Sequence, residues 1–219
     1  MAQKSDEQPN RLERRKQLTR AALVKAAQGF IAEGKFNVPV LEITQAADVG
    51  MGSFYNHFES KEQLFAAALD EIFDDYGALL DLLPDVDDPA ETFARSFRLT
   101  GRLFRRRPQE SRALLNSGLT ALLSDRGLAP RALRDIKAAD AVGRFQLADP
   151  ELSLALAGAA LIALGQLVFD EPNRDDAETA DRMAADLLRV YGVPADEARE
   201  ICSRPLPSIE ELTRSGSAA

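Results

Sequence analysis

An all-α protein is what this sequence predicts, a small N-terminal helical domain followed by a larger helical one, and three observations predict it. Runs rich in Ala, Leu, Arg, Asp and Glu dominate a chain that is 45% hydrophobic and 28% charged, a balance that favours helix in a soluble globular protein. Apolar residues recur at helical spacing through most of the sequence. Helix-start signals stand at Ser60-Lys61-Glu62-Gln63, which has the form of a capping box, and at Asp88-Pro89-Ala90-Glu91. At 219 residues the chain is long enough to bury a real core.

The elements follow in order. Residues 1–10 are expected to be flexible. From Arg11 to Glu33, Leu12, Leu18, Leu23, Ala26, Phe30 and Ile31 recur at helical spacing, with Arg14, Arg15, Lys16, Arg20 and Lys25 largely outward and Gly34 as the stop. Pro39 then suits the first turn of a short helix over 40–47, whose wheel puts Val40, Ile43, Thr44 and Ala47 on one arc. Asp48-Val49-Gly50 leaves room only for a tight turn, and Gly50 tolerates whatever backbone angles that turn requires.

In the next helix, 50–57, Phe54 and Phe58 fall together on one side, while Gly52, Ser53, Asn56 and His57 fall on the other. Tyr55 lies at the edge, where an apolar ring with a hydroxyl is at home. The capping box at Ser60 opens a long helix that ends before Pro84, and Asp88 opens another carrying Phe93, Phe97 and Phe104 as far as Pro108. Two or three shorter helices, broken near Gly118 and Gly127, lead to about Gly143.

The run Leu152–Phe169 is interrupted only by Ser153 and Gln166. Its length is at the lower limit for a membrane span, and acidic residues flank it without a basic anchor, so it reads as a helix buried on all sides of a soluble protein. Ala180, Met183, Ala184, Leu187, Leu188 and Tyr191 form a second stripe. The two stripes together make a dimer face, since one subunit would struggle to cover both. The tail over 204–219, with Pro205 and Pro207, is expected to be mobile.

Composition excludes several chemistries. One Cys and one His leave no set for a structural zinc or a di-iron carboxylate centre and no internal disulfide. No Gly-x-Ser-x-Gly elbow or phosphate-binding glycine loop is present, so neither an enzyme nor a bound cofactor is expected. The N-terminus lacks the apolar run of a signal peptide, which places the protein in the cytoplasm. Net charge is −8, unevenly spread: residues 1–61 hold 9 Lys and Arg against 7 Asp and Glu, net +2, and residues 62–219 hold 18 against 28, net −10. Only the N-terminal quarter is suited to approach phosphates.

The stretch from Phe36 to Leu64 resembles the DNA-binding domain of the tetracycline-repressor (TetR) family of bacterial regulators. The resemblance rests on Ile43, Ala46-Ala47, Val49, Gly52-Ser53-Phe54-Tyr55 and His57-Phe58-x-Ser60-Lys61-x-x-Leu64. It implies a three-helix, helix-turn-helix DNA reader over 11–60, with 40–47 positioning and 50–57 entering the major groove, and a helical effector-binding and dimerisation domain over 61–203. It further implies a homodimer on an inverted-repeat operator in double-stranded DNA, acting as a repressor that a small effector releases, and it carries DNA contact over to Met51, Gly52, Ser53, Tyr55, Asn56, His57 and Lys61.

Two departures stand out. Gly50-Met51 replaces the family's usual Ser-Lys, and Val38-Pro39-Val40 offers no side-chain cap to the positioning helix.

By chemistry, Asn56 suits a bidentate contact to adenine and Ser53 several base edges, the alternative for both being phosphate or solvent. Tyr55 and Lys61 suit phosphates. His57 is open between phosphate binding, a bond inside the domain and packing, and Met51 between a thymine methyl and the interior. Phe93, Phe97, Phe104 and Phe145 are candidates to line an effector pocket, against the simpler reading that they are core. Their aliphatic surroundings point to an apolar or amphipathic effector. Arg102, Arg105, Arg106, Arg107 and Arg112 would either meet an acidic ligand or form a paired, solvated face. The rival from another class is a helical small-molecule-binding protein or enzyme that does not bind DNA.

Overall fold

The computed structural model describes residues 11–119 and 124–216. It is 74% helical, with no strand among the described residues. The chain divides into two compact units, one ending at Leu69 and one beginning at Asp70. Residues 1–10, expected to be flexible, lie outside the described residues.

The first unit holds α1 (Arg11–Ala32), α2 (Val40–Ala46), α3 (Met51–Tyr55) and the start of α4 (Lys61–Leu80). Its core is built from Leu23, Val24, Ala27 and Ile31 of α1, Ile43 of α2, Phe54 and Phe58 around α3, and Leu64 and Ala68 of α4. Gly34 closes α1 at φ 71°, the left-handed angle that glycine accepts without strain. In the α2–α3 turn the freedom of Gly50 is not used. Its φ of −70° is ordinary, and the left-handed residue is Asp48 at φ 53°, whose short polar side chain tolerates that region. The capping box forms: Ser60 Oγ accepts from the Gln63 amide at 3.2 Å, while Gln63 Oε1 reaches back to the Glu59 amide at 2.7 Å.

The second unit holds the rest of α4, then α5 (Pro89–Arg106), α6 (Pro108–Asn116), α7 (Leu128–Ala141), α8 (Pro150–Asp170), α9 (Asp176–Val190), α10 (Ala195–Ser203) and α11 (Ile209–Gly216). Asp88 caps α5 by accepting from the Ala90 amide at 3.0 Å, with Pro89 in the first turn. α5 packs against α7, α8, α9 and α10, which is why its buried residues include even Arg95 and Arg98. Gly101 lets α8 and α9 close on it: a Cβ there would lie 2.8 Å from Leu164 Cδ2 and 2.7 Å from Ala180 Cβ.

Two expectations need correction. α8 is not enclosed by its own subunit, since Leu152 is 68% exposed and Leu156, Ala159, Ala163 and Leu167 continue an outward stripe. The stripe on α9, in contrast, is taken up inside the subunit: Ala180, Ala184, Leu187, Leu188 and Tyr191 are all buried against α5 and α10. Among the described residues one uncovered apolar face therefore remains of these two stripes. The tail is also more structured than its prolines imply. α11 buries Leu212, Glu210 Oε1 accepts from Arg106 Nη1 at 2.9 Å, and Ser208 caps the helix by accepting from the Glu211 amide at 3.2 Å. Residues 217–219 lie outside the described residues.

Candidate DNA-reading surface and effector cavity

α3 is five residues long, too short to be stable by itself, and aromatic packing holds it in place. Phe54 is wholly buried, with its ring centroid 6.1 Å from that of Phe58. Tyr55 stands edge-on to Phe54 at 5.1 Å yet is 62% exposed. Met51, Gly52 and Asn56 are exposed, and Ser53 and His57 are half-buried. The structure thus brings Met51, Gly52, Ser53, Tyr55, Asn56 and His57 together at the surface over a Phe54–Phe58 anchor. No atom lies within 4 Å of where a Gly52 side chain would begin.

Lys61 is half-buried, and its Nζ donates to Asn37 Oδ1 at 2.6 Å, so one of its three donors is committed inside the domain. His57 has its pKa lowered by burial and then by the charges of Lys16 and Arg20, which keeps the imidazole neutral at pH 7 with one N–H to donate. Neither Pro39 before α2 nor Gly50 before α3 makes a side-chain cap, as the sequence implied.

The second unit contains an apolar cavity, open at one side. Phe93 and Phe97 line it together with Leu80, Leu128, Ala157 and Leu161, and Ser96 and Thr100 supply hydroxyls. Two of the four candidate phenylalanines are therefore wall residues, and two are not. Phe104 is fully buried 6.3 Å from the Phe169 ring and seated on Gly165. Phe145 fills a cluster with Phe93 and Tyr191 at 5.9 and 5.1 Å.

Beside this cavity, sharing Leu80 and Ser96 with it, lies a polar chamber lined by Asp81, Asp85, Thr92, Arg95, Arg131 and Arg134. Arg131 donates from Nε to Asp81 Oδ1 and from Nη1 to the Gly127 carbonyl, both at 2.8 Å. Its hydrogen bond holds the Asp81 carboxyl below its ordinary pKa. Arg134 donates to Asp135 Oδ1 at 2.9 Å. The other oxygen, Asp135 Oδ2, is buried with no hydrogen-bond partner among the described residues, and burial raises the pKa of that carboxyl. A chamber of alternating carboxylates and guanidiniums can both accept from and donate to a small polar molecule.

The sequence reading missed these residues because it looked for arginines along α5. There, Arg102 pairs with Asp181, Arg106 with Glu210, and Arg105 with the Glu171 carbonyl, which is the paired-face alternative. The available signal was Arg131-x-x-Arg134-Asp135, three charges within one turn of an amphipathic helix, of which Asp135 is buried and Arg134 exposed. Among the described residues no group of His, Cys, Asp and Glu is arranged to hold a metal.

Comparison with known proteins agrees with both units. Residues 22–68 match the family model described as bacterial regulatory proteins, tetR family, and residues 88–204 match the tetracyclin repressor-like C-terminal domain. The crystal structure of RolR in complex with resorcinol superposes with a TM-score of 0.70 at 38% identity, covering 90% of this chain and 98% of that one. The transcriptional repressor DhaR of Mycobacterium sp. (strain GP1) is 49% identical over 51 residues, 23% of this chain. The transcriptional regulator TcmR of Streptomyces glaucescens is 29% identical over 91 residues, 41% of this chain. The matched segments span only 26% and 40% of those two curated relatives.

Proposed function

The chain belongs to the TetR family of helix-turn-helix transcription regulators, and from that premise we propose that it is a repressor, released from an inverted-repeat operator by a small hydroxylated aromatic effector. The carrying observation is the division of labour in α3. Phe54 and Phe58 are sunk into the domain, while Ser53, Tyr55, Asn56 and His57 emerge between them. Asn56 and Ser53 are assigned to base edges and Tyr55 and Lys61 to phosphates, with Met51 and Gly52 at the groove floor.

The reader works as a homodimer, because one contiguous apolar stripe on α8, from Leu152 to Leu167, has no cover in its own subunit and a second copy supplies it by two-fold symmetry. By length and hydropathy alone α8 would pass for a membrane span; in a regulator acting on DNA in the cytoplasm, a second subunit is the partner that face requires.

The effector class follows from the two adjoining compartments. RolR, 38% identical, was crystallised with resorcinol, a ring bearing two hydroxyls. Here Phe93, Phe97 and Leu161 offer a slot for such a ring, and Asp81, Arg131 and Arg134 offer acceptors and donors to its hydroxyls. Arg131 is engaged by Asp81 and Arg134 by Asp135, while Arg95 donates to the Pro84 carbonyl, so the chamber offers both donors and acceptors to a polar group. Asp81 directly follows α4, the helix whose first turns belong to the DNA-reading unit. Competition for Arg131 thus alters the support of that helix, by no more than the effector's differential affinity for the two states.

The test titrates resorcinol into a complex of the purified protein with a labelled operator duplex. Anisotropy should fall to the free-DNA value at saturation. Full retention of the duplex, with no heat of resorcinol binding to the free protein, would remove the effector reading.

A further inference from the structure

The apolar cavity and the polar chamber divide sharply in chemistry. Among the described residues around the cavity, Ser96 and Thr100 alone carry a polar side chain, and Thr100 Oγ1 already donates to the Ser96 carbonyl at 2.8 Å. Ser96 stands at the seam, on the wall of both compartments, while Asp81, Asp85, Arg95, Arg131 and Arg134 all lie on the chamber side. A molecule that occupies both compartments is therefore polar at one end and apolar at the other, because a hydroxyl carried past Ser96 would lose its water without finding a partner. The cavity also offers more than a ring needs. Phe93 and Phe97, with centroids 6.4 Å apart, flank the ring slot with Leu161, and the wall further includes Leu128, Ala129 and Ala132 of α7 and Leu154, Ala157 and Gly158 of α8. Leu154 and Leu161 are seven residues apart, about 10 Å along the helix axis, which exceeds the breadth of a benzene ring, and the small residues between α7 and α8 leave that length open.

We propose that the apolar cavity holds a short alkyl chain, and that the effector class is a 1,3-dihydroxybenzene alkylated at carbon 5. This rests on the effector reading above and names the part of the ligand that resorcinol itself lacks. The position of the chain follows from the two compartments. When both hydroxyls face Asp81, Arg131 and Arg134, carbon 5 is the ring atom opposite them, so a substituent there leaves the chamber and enters the cavity. A chain on carbon 2, between the hydroxyls, would instead be driven among the charged groups of the chamber, where it displaces water from them and gains no apolar contact. Ser96, at the seam, marks the point along the ligand at which polar atoms must end.

The experiment compares resorcinol, 5-propylresorcinol and 2-propylresorcinol by calorimetry on the free full-length protein and by anisotropy on its operator complex. Three buried carbons add at most about sixtyfold in affinity. With one side of the cavity open, the 5-propyl compound should bind, and release the operator, at a concentration at least about tenfold lower than resorcinol. The 2-propyl isomer, equally apolar, should bind no better than resorcinol. Ala132→Leu fills the same space from α7 and should bring the midpoints of resorcinol and 5-propylresorcinol to within about twofold of each other, with retained operator binding reporting that the variant is folded. Equal affinity of the wild type for resorcinol and its 5-propyl derivative would overturn the proposal and leave the ring reading standing. So would an equal gain from both isomers, or an undiminished advantage of the 5-propyl compound in Ala132→Leu. Failure of all three compounds to bind would strike the effector reading and this proposal together.

Discussion

Replacing Gly77 by Ala sets two opposing effects against each other. Gly77 lies inside α4, where glycine costs about 1 kcal/mol relative to alanine, so on helix propensity alone the change stabilises. The reason for glycine is Arg131: a Cβ at position 77 would lie 2.7 Å from Arg131 Cζ and closer still to Nη1. Ordinary contact needs about 3.4 Å or more, so the guanidinium must retreat by roughly 1 Å, which stretches its bonds to Asp81 and to the Gly127 carbonyl. The ion pair is partly exposed, at 26% for Arg131 and 49% for Asp81, and is worth no more than about 1 kcal/mol. The carbonyl bond adds about 1 kcal/mol. The terms nearly cancel, and denaturant unfolding should place the variant within about 1 kcal/mol of wild type. Effector release should move much further, because Arg131 leaves the chamber wall. A loss of 1.4 kcal/mol of effector binding shifts the resorcinol midpoint about tenfold, read by anisotropy on the operator duplex. An unchanged midpoint at unchanged stability would refute the placing of Arg131 in the effector site. A loss above about 3 kcal/mol would refute the view that a mobile side chain, and not backbone, occupies the space.

Other substitutions separate roles that the fold assigns. Asn56→Ala should relax preference at one or two positions per half-site in a binding-site selection, whereas uniform weakening on every sequence would make Asn56 a phosphate contact. Phe104→Ala, fully buried against Phe169 and Gly165, should cost about 3–5 kcal/mol in denaturant unfolding and leave the order of effector preference unchanged; a stable variant with altered effector choice would return Phe104 to the cavity wall. Burial pushes the Tyr76 hydroxyl from 10.0 up to about 12, with its bond to Ser111 partly offsetting that. The folded state therefore holds a proton that the unfolded chain gives up, so stability present below pH 10 is lost as pH rises toward 12, by about 3 kcal/mol in all. Denaturation midpoints at pH 9 and 11.5 should show that loss in wild type and a smaller one in Tyr76→Phe.

Local signals were legible in the sequence and convergent ones were not. Ser60 and Asp88 cap the helices they were expected to open, because a cap is set by residues within one turn. The facing of Phe54 and Phe58 against Ser53 and Asn56 followed from helical period alone. Phe93 and Phe104 carry the same periodic signature, yet one lines a cavity and the other fills the core, a difference decided by Gly165 and Phe169 sixty residues away. The pairing of Asp81 with Arg131, fifty residues apart, left no local trace. The stripe on α8 read as enclosed because apolarity all round cannot distinguish cover by the same chain from cover by another copy. Prolines at 205 and 207 argued for a loose tail, and they do end α10, but the Ser208 cap restarts a helix at once.

The most direct test of the account measures binding of the purified chain to duplexes from its own upstream intergenic region and to a scrambled duplex of equal length, from low to moderate salt. The account predicts a preference for one inverted-repeat site of about a thousandfold or more, with affinity falling steeply as salt rises. Equal affinity for the two duplexes at every salt concentration would contradict it.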